Sequence, residues 1–132
     1  MARILLIEDD DTVRTLLHHT LERYGHAVVE ARNGDEGLAL YPQVAADLLI
    51  TDLMMPGKGG LEVLAELKEK YPPVKAIAIT GGLLHDHRDV LQLAKSLGAA
   101  TVLAKPFSCE TLMAAVHQLV PAGESASRDA VS

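Results

Sequence analysis

Five short apolar runs alternate along the chain with segments in which apolar residues recur every three or four positions. The runs are RILLIE (3–8), HAVVEA (26–31), DLLIT (47–51), VKAIAIT (74–80) and ATVLA (100–104). A short apolar run is typical of a buried strand, whereas spacings of three and four place apolar residues on one face of a helix. Gly25 stands where the first helix should end, and Asn33 and Ser108 are suited to begin the second and fifth. The pattern therefore predicts five strands, each followed by a helix.

Strands that are apolar along their whole length favour a parallel sheet with helices on both faces and right-handed crossovers. We predict one such α/β domain over residues 1–120. The remaining segment, 121–132, is rich in Ala and Ser and has no periodic apolar face, so we predict a disordered tail or the start of a linker. The second strand ends in Ala31 and Arg32 without a reactive group, which suits a position at the edge of the sheet.

Reactive side chains follow four of the five predicted strands. Glu8 and Asp9 follow the first, Asp52 ends the third, Thr80 ends the fourth, and Lys105 follows the fifth. In open α/β sheets the ligand site lies beyond the carboxyl ends of the strands. Taken singly, an acid after a strand is usually a turn or helix-capping residue. Together, these five residues favour a common site at one edge of the sheet.

Three carboxylates brought to one edge would repel each other unless a cation lay among them. A hard divalent cation such as Mg²⁺ typically binds one or two protein carboxylates together with phosphate oxygens. With Mg²⁺ and Lys105 the three acids form a site of zero net charge, which can still attract a phosphoryl group. The sequence thus indicates a magnesium-dependent phosphate site that needs no glycine-rich loop.

Composition narrows the classes of function. The 132 residues include 12 Lys and Arg against 18 Asp and Glu, a net charge of -6 that argues against direct binding of nucleic acid. No apolar run approaches the roughly 20 residues that cross a bilayer, and the single cysteine, Cys109, cannot form an internal disulfide. We predict a cytoplasmic protein without membrane attachment.

His85 and His87 offer too few ligands for a usual transition-metal site, so we interpret them as loop histidines.

Four short segments stand at the ends of the predicted strands. They are IEDD at 7–10 with Arg14 beyond it, TDLMMPGKGG at 51–60, IAITGG at 77–82 and AKPF at 104–107. In order and spacing they resemble the signatures of the response-regulator receiver domain, and the resemblance covers about Arg3 to Leu119. It implies a doubly wound, flavodoxin-like sheet of five parallel strands in the order 2-1-3-4-5.

The resemblance also implies a role for each site residue. Asp52 is expected to be phosphorylated, by attack on a phosphohistidine. The expected ligands of Mg²⁺, or of Mn²⁺ in its place, are Glu8, Asp9, Asp52 and the backbone carbonyl of Met54. The residues expected to contact the phosphoryl group and to switch with it are Thr80, Gly81 and Lys105. The peptide bond before Pro106 is expected to be cis.

The resemblance implies a stand-alone receiver, which acts as a phosphoacceptor in a two-component system or phosphorelay and is not expected to be an enzyme. Its expected partners are a histidine kinase or phosphotransfer protein and an unknown downstream protein. One alternative is the N-terminal receiver fragment of a DNA-binding transcription regulator. Another is a magnesium-dependent phosphohydrolase of small molecules that forms an aspartyl intermediate. Such a hydrolase needs a second acid near its nucleophile, and Met54 occupies the expected position.

Four positions depart from the pattern of the family. Val102 replaces the usual aromatic residue three before the lysine, so the usual aromatic relay is not expected. Lys58 replaces an apolar residue six after the phosphoacceptor, from which we expect a more mobile loop. Met54 and Gly82 stand where a polar side chain would position the hydrolytic water, and we therefore predict slow loss of the phosphoryl group.

Overall fold

The computed structural model describes residues 2–55, 57–71, 74–81 and 87–120. Within them, five strands and five helices alternate. In chain order they are β1 (Arg3–Ile7), α1 (Asp11–Arg23), β2 (Ala27–Ala31), α2 (Gly34–Val44), β3 (Leu48–Asp52), α3 (Gly60–Lys70), β4 (Ala76–Thr80), α4 (His87–Ser96), β5 (Ala99–Ala104) and α5 (Cys109–Leu119). Every apolar run identified in the sequence forms a strand.

The strands form one parallel sheet in the order β2-β1-β3-β4-β5. In the register of this sheet, Ile4 lies between Val28 and Leu48. The predicted fold class and strand order are confirmed, and β2 lies at the edge. Because β1 and β3 are neighbours, the residues that follow these two strands meet at the carboxyl edge of the sheet.

The core has two layers, one on each face of the sheet. Ile4 and Leu6 pack on the face that α1 and α5 cover, whereas Leu5 and Ile7 pack on the face that α2, α3 and α4 cover. Successive residues of a strand point to opposite faces, so a strand covered on both sides must be apolar at every position. This explains the continuous apolar runs, and the buried core is aliphatic, as the composition predicts.

Helix ends follow local sequence signals in most cases. The side chains of Asn33 and Ser108 accept the backbone N–H groups of Glu36 and Thr111 and so begin α2 and α5, as predicted. Helix α1 is capped by the preceding residue, Asp10, whose carboxylate accepts the Val13 N–H at 3.0 Å. The capping acid of the IEDD segment is therefore Asp10, which leaves Asp9 without a helix-capping role.

At the amino edge of the sheet, basic side chains donate to the last carbonyl oxygens of three helices. The donor and acceptor pairs are Arg3 with Val44 at 3.0 Å, Lys68 with Ser96 at 2.7 Å, and Lys75 with Leu119 at 3.1 Å. Cations at helix C-termini oppose the negative end of the helix dipole. These contacts neutralise the end of the molecule opposite the acidic cluster.

A pair of histidines also lies at the amino edge. His26 is 5% exposed, and its Nδ1 accepts the backbone N–H of Ala2 at 3.1 Å. Its ring centroid lies 5.6 Å from that of His117, and neither Nε2 has a hydrogen-bond partner among the described residues. Burial, with smaller contributions from His117 and the charge of the amino terminus, lowers the pKa of His26.

Several predictions concern residues outside the described ranges. They include the predicted tail at 121–132, the loop residue His85 with the side chain of His87, and the loss of a polar side chain at Gly82. Among the helices that the structure describes, none has both the length and the apolar character that a membrane-spanning segment requires.

Candidate functional site

Three carboxylates lie together at the carboxyl edge of the sheet. Oxygen atoms of Glu8, Asp9 and Asp52 all lie within 4.8 Å of one another. Glu8 and Asp52 are buried, 1% and 4% exposed, whereas Asp9 is exposed. The two buried acids are carried by β3 and the end of β1, and Asp9 leaves one side of the cluster open to ligands from solvent.

A single lysine reaches both buried acids. Lys105 Nζ lies 2.9 Å from Asp52 Oδ2 and 3.2 Å from Glu8 Oε1. Burial alone would lower the pKa of this lysine, but the hydrogen bond to Asp52 and the charges of both acids outweigh it and raise the pKa. The backbone N–H of Lys105 donates to the Thr80 carbonyl at 2.8 Å, and the following bond to Pro106 is cis. Lys105 is thus held as a fixed positive charge.

One lysine does not balance this cluster. Burial, reinforced by the neighbouring charge of Asp52, raises the pKa of Glu8 to about 7, although the Asp10 N–H and Lys105 act in the opposite direction. The high pKa reflects a carboxyl group in a site that water reaches poorly, with a second carboxylate beside it. Three carboxylates with a single lysine leave a net negative charge, which a further cation would balance.

The donor set fits a hard divalent cation. Carboxylate oxygens are the ligands that Mg²⁺ prefers, and it keeps several waters, which the exposed side at Asp9 accommodates. Among the described residues this is the only group of three or more acidic, histidine or cysteine side chains close enough to hold a metal ion. Receiver domains bind Mg²⁺ in an acidic pocket of this kind.

Asp52 is fixed by contacts on both of its carboxylate oxygens. Oδ1 accepts the backbone N–H of Met54 at 2.9 Å, and Oδ2 faces Lys105. Behind it, the chain turns closely, because a Cβ on Gly60 would lie 2.2 Å from the Asp52 carbonyl oxygen. The carboxylate of Asp52 is therefore held in place at the end of β3. Met54, two residues further on, is 56% exposed.

Thr80 offers a hydroxyl without a partner. Its side chain is 1% exposed, and its Oγ1 makes no hydrogen bond to any residue of the described ranges. It ends β4, next to β3 in the sheet, and the exposed Gly81 follows it. A buried hydroxyl that lacks a partner is costly, so a ligand that supplied an oxygen here would satisfy it.

Sequence reasoning assigned no role to Arg14, although it belongs to the first motif. Its Nη1 donates to the Glu8 carbonyl at 2.9 Å, its Nη2 contacts Asp11, and its Nε lies 3.5 Å from Glu30 on β2. Arg14 is buried, and its contact with the Glu8 carbonyl fixes the backbone at the end of β1. The spacing of three between Asp11 and Arg14 predicts their contact within a helix, but the contact with β2 depends on the fold.

An apolar groove borders the site. It lies between α1 and the start of α5, has a volume of about 260 Å³, and includes Leu16, Phe107 and Lys105 in its walls. Leu16 is 59% exposed, so it presents apolar surface at this groove. Lys105 contributes to both the groove and the acidic cluster, so the two are continuous.

Comparison with known proteins gives a consistent family assignment. The model of the response regulator receiver domain matches residues 4–117. The transcriptional regulatory protein AfsQ1 of Streptomyces coelicolor is 36% identical over 132 residues, and the chain spans 57% of its length. The sporulation initiation phosphotransferase F of Bacillus subtilis is 30% identical over 119 residues, which cover 90% of this chain and 94% of the relative.

A solved structure shows the same architecture. The response regulator protein TrrA from Thermotoga maritima, crystallised with Mg²⁺ and BeF, superposes with a TM-score of 0.80 and is 33% identical. The match covers 90% of this chain and 99% of that one. The chain thus spans nearly the whole of some relatives and about half of others.

Proposed function

Because the chain belongs to the response regulator receiver family, we propose that its Asp52 accepts a phosphoryl group from a phosphohistidine. Response regulators receive phosphoryl groups from histidine kinases or phosphotransfer proteins. The observation that carries the assignment to Asp52 is its position, since it is the buried carboxylate that both the Met54 N–H and the Lys105 ammonium fix. A nucleophile held in this way meets the donor in one orientation.

The reaction exchanges one bond to phosphorus for another. An oxygen of Asp52 forms the new P–O bond as the P–N bond to the donor imidazole breaks. The imidazole keeps the electron pair of that bond and takes a proton from solvent, so it leaves neutral. The product is an aspartyl phosphate, and no oxidant or further reactant is required.

We assign the metal site to the carboxylates of Glu8, Asp9 and Asp52 and the backbone carbonyl of Met54. Bound there, Mg²⁺ supplies positive charge to the oxygens of the transferring phosphoryl group, and Mn²⁺ could take its place. Lys105, which contacts Asp52 Oδ2 at 2.9 Å, supplies a second positive charge that is fixed in the site. The Mg²⁺ and BeF bound in the TrrA structure support this assignment by similarity.

Thr80, Gly81 and Lys105 are the residues that we expect to respond to the phosphoryl group. The Thr80 hydroxyl lacks a partner among the described residues, and a phosphoryl oxygen would provide one. Lys105, now paired with two acids, would exchange part of this contact for the phosphoryl oxygens. Since the Lys105 N–H is bonded to the Thr80 carbonyl, the two movements affect β4 and β5 together and so change the surface offered to a downstream protein.

The apolar groove is the part of the surface that we assign to the phosphodonor. Its walls carry the exposed Leu16 on α1, and Lys105 joins it to the phosphorylation site. A partner helix that presents a phosphohistidine beside apolar residues would fill the groove and reach Asp52 at once.

The two alternatives remain distinguishable by experiment. The chain spans nearly the whole of phosphotransferase F but 57% of AfsQ1, and we propose the same phosphoacceptor role for 1–120 in either setting. A phosphohydrolase is disfavoured because the exposed side chain next to Asp52 is Met54, which cannot protonate a leaving group. We therefore treat 1–120 as a phosphoacceptor domain that does not act as a turnover enzyme.

The test uses acetyl phosphate as the donor. With Mg²⁺, intact-mass measurement should show one added phosphoryl group per chain, and Asp52→Asn should show none. Asp89→Asn, on the exposed surface of α4, is the matched control and should label normally. Stoichiometric labelling of Asp52→Asn would overturn the assignment, and release of many phosphates per chain would favour the hydrolase.

A further inference from the structure

The loop between β3 and α3 carries the Met54 N–H that holds Asp52. It has little support from its own helix, because the residue before α3 is Gly59, which has no side chain to cap the helix. The backbone N–H of Gly60 donates to the Leu53 carbonyl at 3.3 Å, and that of Gly59 to Glu62 at 3.3 Å. Three glycines within 57–60 leave this loop with high conformational freedom.

Lys58 ties this loop to two helices. Its Nζ lies 3.0 and 3.2 Å from the two carboxylate oxygens of Glu66 on α3, and 3.7 Å from Asp35 on α2. The side chain is only 25% exposed. These contacts oppose the mobility that we expected from a lysine in a glycine-rich loop.

The backbone of Lys58 is also in close contact with α2. A Cβ placed on Gly34, the first residue of that helix, would lie 2.5 Å from the Lys58 carbonyl oxygen. The absence of a side chain at Gly34 therefore lets the loop pack directly on the start of α2. The ammonium of Lys58 then pairs with Asp35, the next residue of the same helix.

We propose that Lys58 is a positioning residue for the phosphorylation site, and that its ion pairs hold the β3–α3 loop in the conformation that presents Met54 to Asp52. The proposal rests on the proposed function of Asp52. If Lys58 has this role, the geometry of the metal and phosphoryl site depends on the charge of Lys58, which lies outside the acidic cluster. An apolar residue at position 58 could fill the same space but could not bond to Glu66 and Asp35.

The expected effect is moderate, because Glu66 and Asp35 are partly or largely exposed to solvent. Ion pairs in such positions change equilibria by about two- to fivefold. Lys58→Met should raise the Mg²⁺ concentration that half-saturates the protein by about this factor, as followed by calorimetry. Lys58→Arg, which keeps the charge, should restore the wild-type value. Lys70→Met, on the exposed end of α3, is the matched control.

A second measurement does not depend on metal or phosphoryl transfer. In the metal-free protein, amide hydrogen exchange at Met54 and Gly57 to Gly60 should be faster in Lys58→Met than in the wild type or in Lys58→Arg. The difference should shrink at high salt, which screens exposed ion pairs. Equal exchange in all three proteins would overturn the proposal.

A double-mutant cycle assigns the effect to the ion pair. Glu66→Gln should weaken Mg²⁺ binding in the same direction as Lys58→Met, and the double variant should be no weaker than Lys58→Met alone. Fully additive effects would overturn the proposal. Failure of the proposed function is detected separately, because it would appear as labelling of Asp52→Asn, whatever residue stands at position 58.

Discussion

The two edges of the sheet differ in their charged groups. Basic side chains at the amino edge are balanced by helix C-termini, whereas the acids at the carboxyl edge are not fully balanced. At the amino edge, Arg3, Lys68 and Lys75 each meet the last carbonyl of a helix. At the carboxyl edge, three acids lie together and one lysine pairs with two of them, while burial raises the pKa of Glu8 to about 7. In a parallel α/β sheet all helices point the same way, so one edge collects their negative ends and the other their positive ends.

This difference distinguishes a structural edge from a functional one. The helix dipoles alone would favour acids at the carboxyl edge, but the acids present exceed what Lys105 balances, and the Thr80 hydroxyl has no partner within the described part of the chain. Unbalanced charge and unbonded polar atoms reduce stability. At the carboxyl edge the unbalanced carboxylates and the unbonded Thr80 hydroxyl lie together, which indicates a site that is completed by its ligands. Changes at this edge should therefore alter function, whereas changes at the amino edge should alter stability.

The largest effect is expected from Asp9→Asn. Asp9 is the exposed acid of the cluster, and removal of its charge should weaken Mg²⁺ binding by about tenfold or more. The free energy of unfolding without metal should stay the same or rise, because repulsion within the cluster falls. Calorimetric titration with Mg²⁺ and urea unfolding measure the two quantities.

The matched change at the other edge is Asp47→Asn. Asp47 Oδ2 accepts the backbone N–H of Arg3 at 2.8 Å, and Asp47→Asn removes the charge that strengthens this bond. The variant should therefore lose some stability while keeping its affinity for Mg²⁺. An Asp9→Asn protein that lost stability but bound Mg²⁺ normally would contradict the division between the two edges.

An intermediate effect is expected for the lifetime of the phosphoryl group. The Met54 side chain, 56% exposed beside Asp52, cannot position a water for in-line attack, so self-dephosphorylation should be slow. Met54→Asn and Met54→Glu should lose phosphate severalfold faster at saturating Mg²⁺. If neither variant is faster, or if the wild-type phosphoryl group survives only seconds, the role of Met54 is wrong.

The smallest effect is expected at the amino edge, from His26. Its pKa lies below the ordinary value of 6.5 because the ring is buried. Above about pH 6.5 the folded and unfolded states are both neutral at this residue. As the pH falls below that value, the unfolded chain takes up a proton that the folded protein resists, so the free energy of unfolding decreases.

Urea unfolding between pH 7.5 and 5 tests this effect. His26→Gln should lose less stability on acidification than the wild type, whereas the exposed His19→Gln should follow the wild type. Identical pH profiles for wild type and His26→Gln would show that protonation of His26 is not linked to unfolding. Labelling of Asp52 should be unchanged in both variants.

The fold and the composition of the site could be predicted because both depend on local patterns. The continuous apolar runs identify buried parallel strands, and in such a sheet the residues after β1, β3, β4 and β5 must share an edge. Glu8, Asp9, Asp52 and Lys105 therefore came together as expected. The roles of these residues in phosphoryl transfer remain predictions.

Other features depend on contacts that the sequence does not encode locally. The contact of Arg14 with Glu30 arises because α1 packs beside β2, and the His26–His117 pair arises because α5 returns to the start of the sheet. The partners of Lys58 could not be predicted for the same reason. Its neighbours in the sequence indicate a mobile loop, whereas in the fold it contacts Glu66 and Asp35. Charge and spacing identify candidates, but packing decides which partners they meet.

The contact between Lys75 and the end of α5 has a consequence for protein engineering. Lys75 Nζ donates to the Leu119 carbonyl at 3.1 Å, which joins the last described helix to the residue that precedes β4. A fluorescent or catalytic module fused after Val120 would start from a point anchored to the central strands. We expect a displacement of β4 to change the orientation of the attached module. Position 120 is therefore a suitable attachment point for a reporter of phosphorylation.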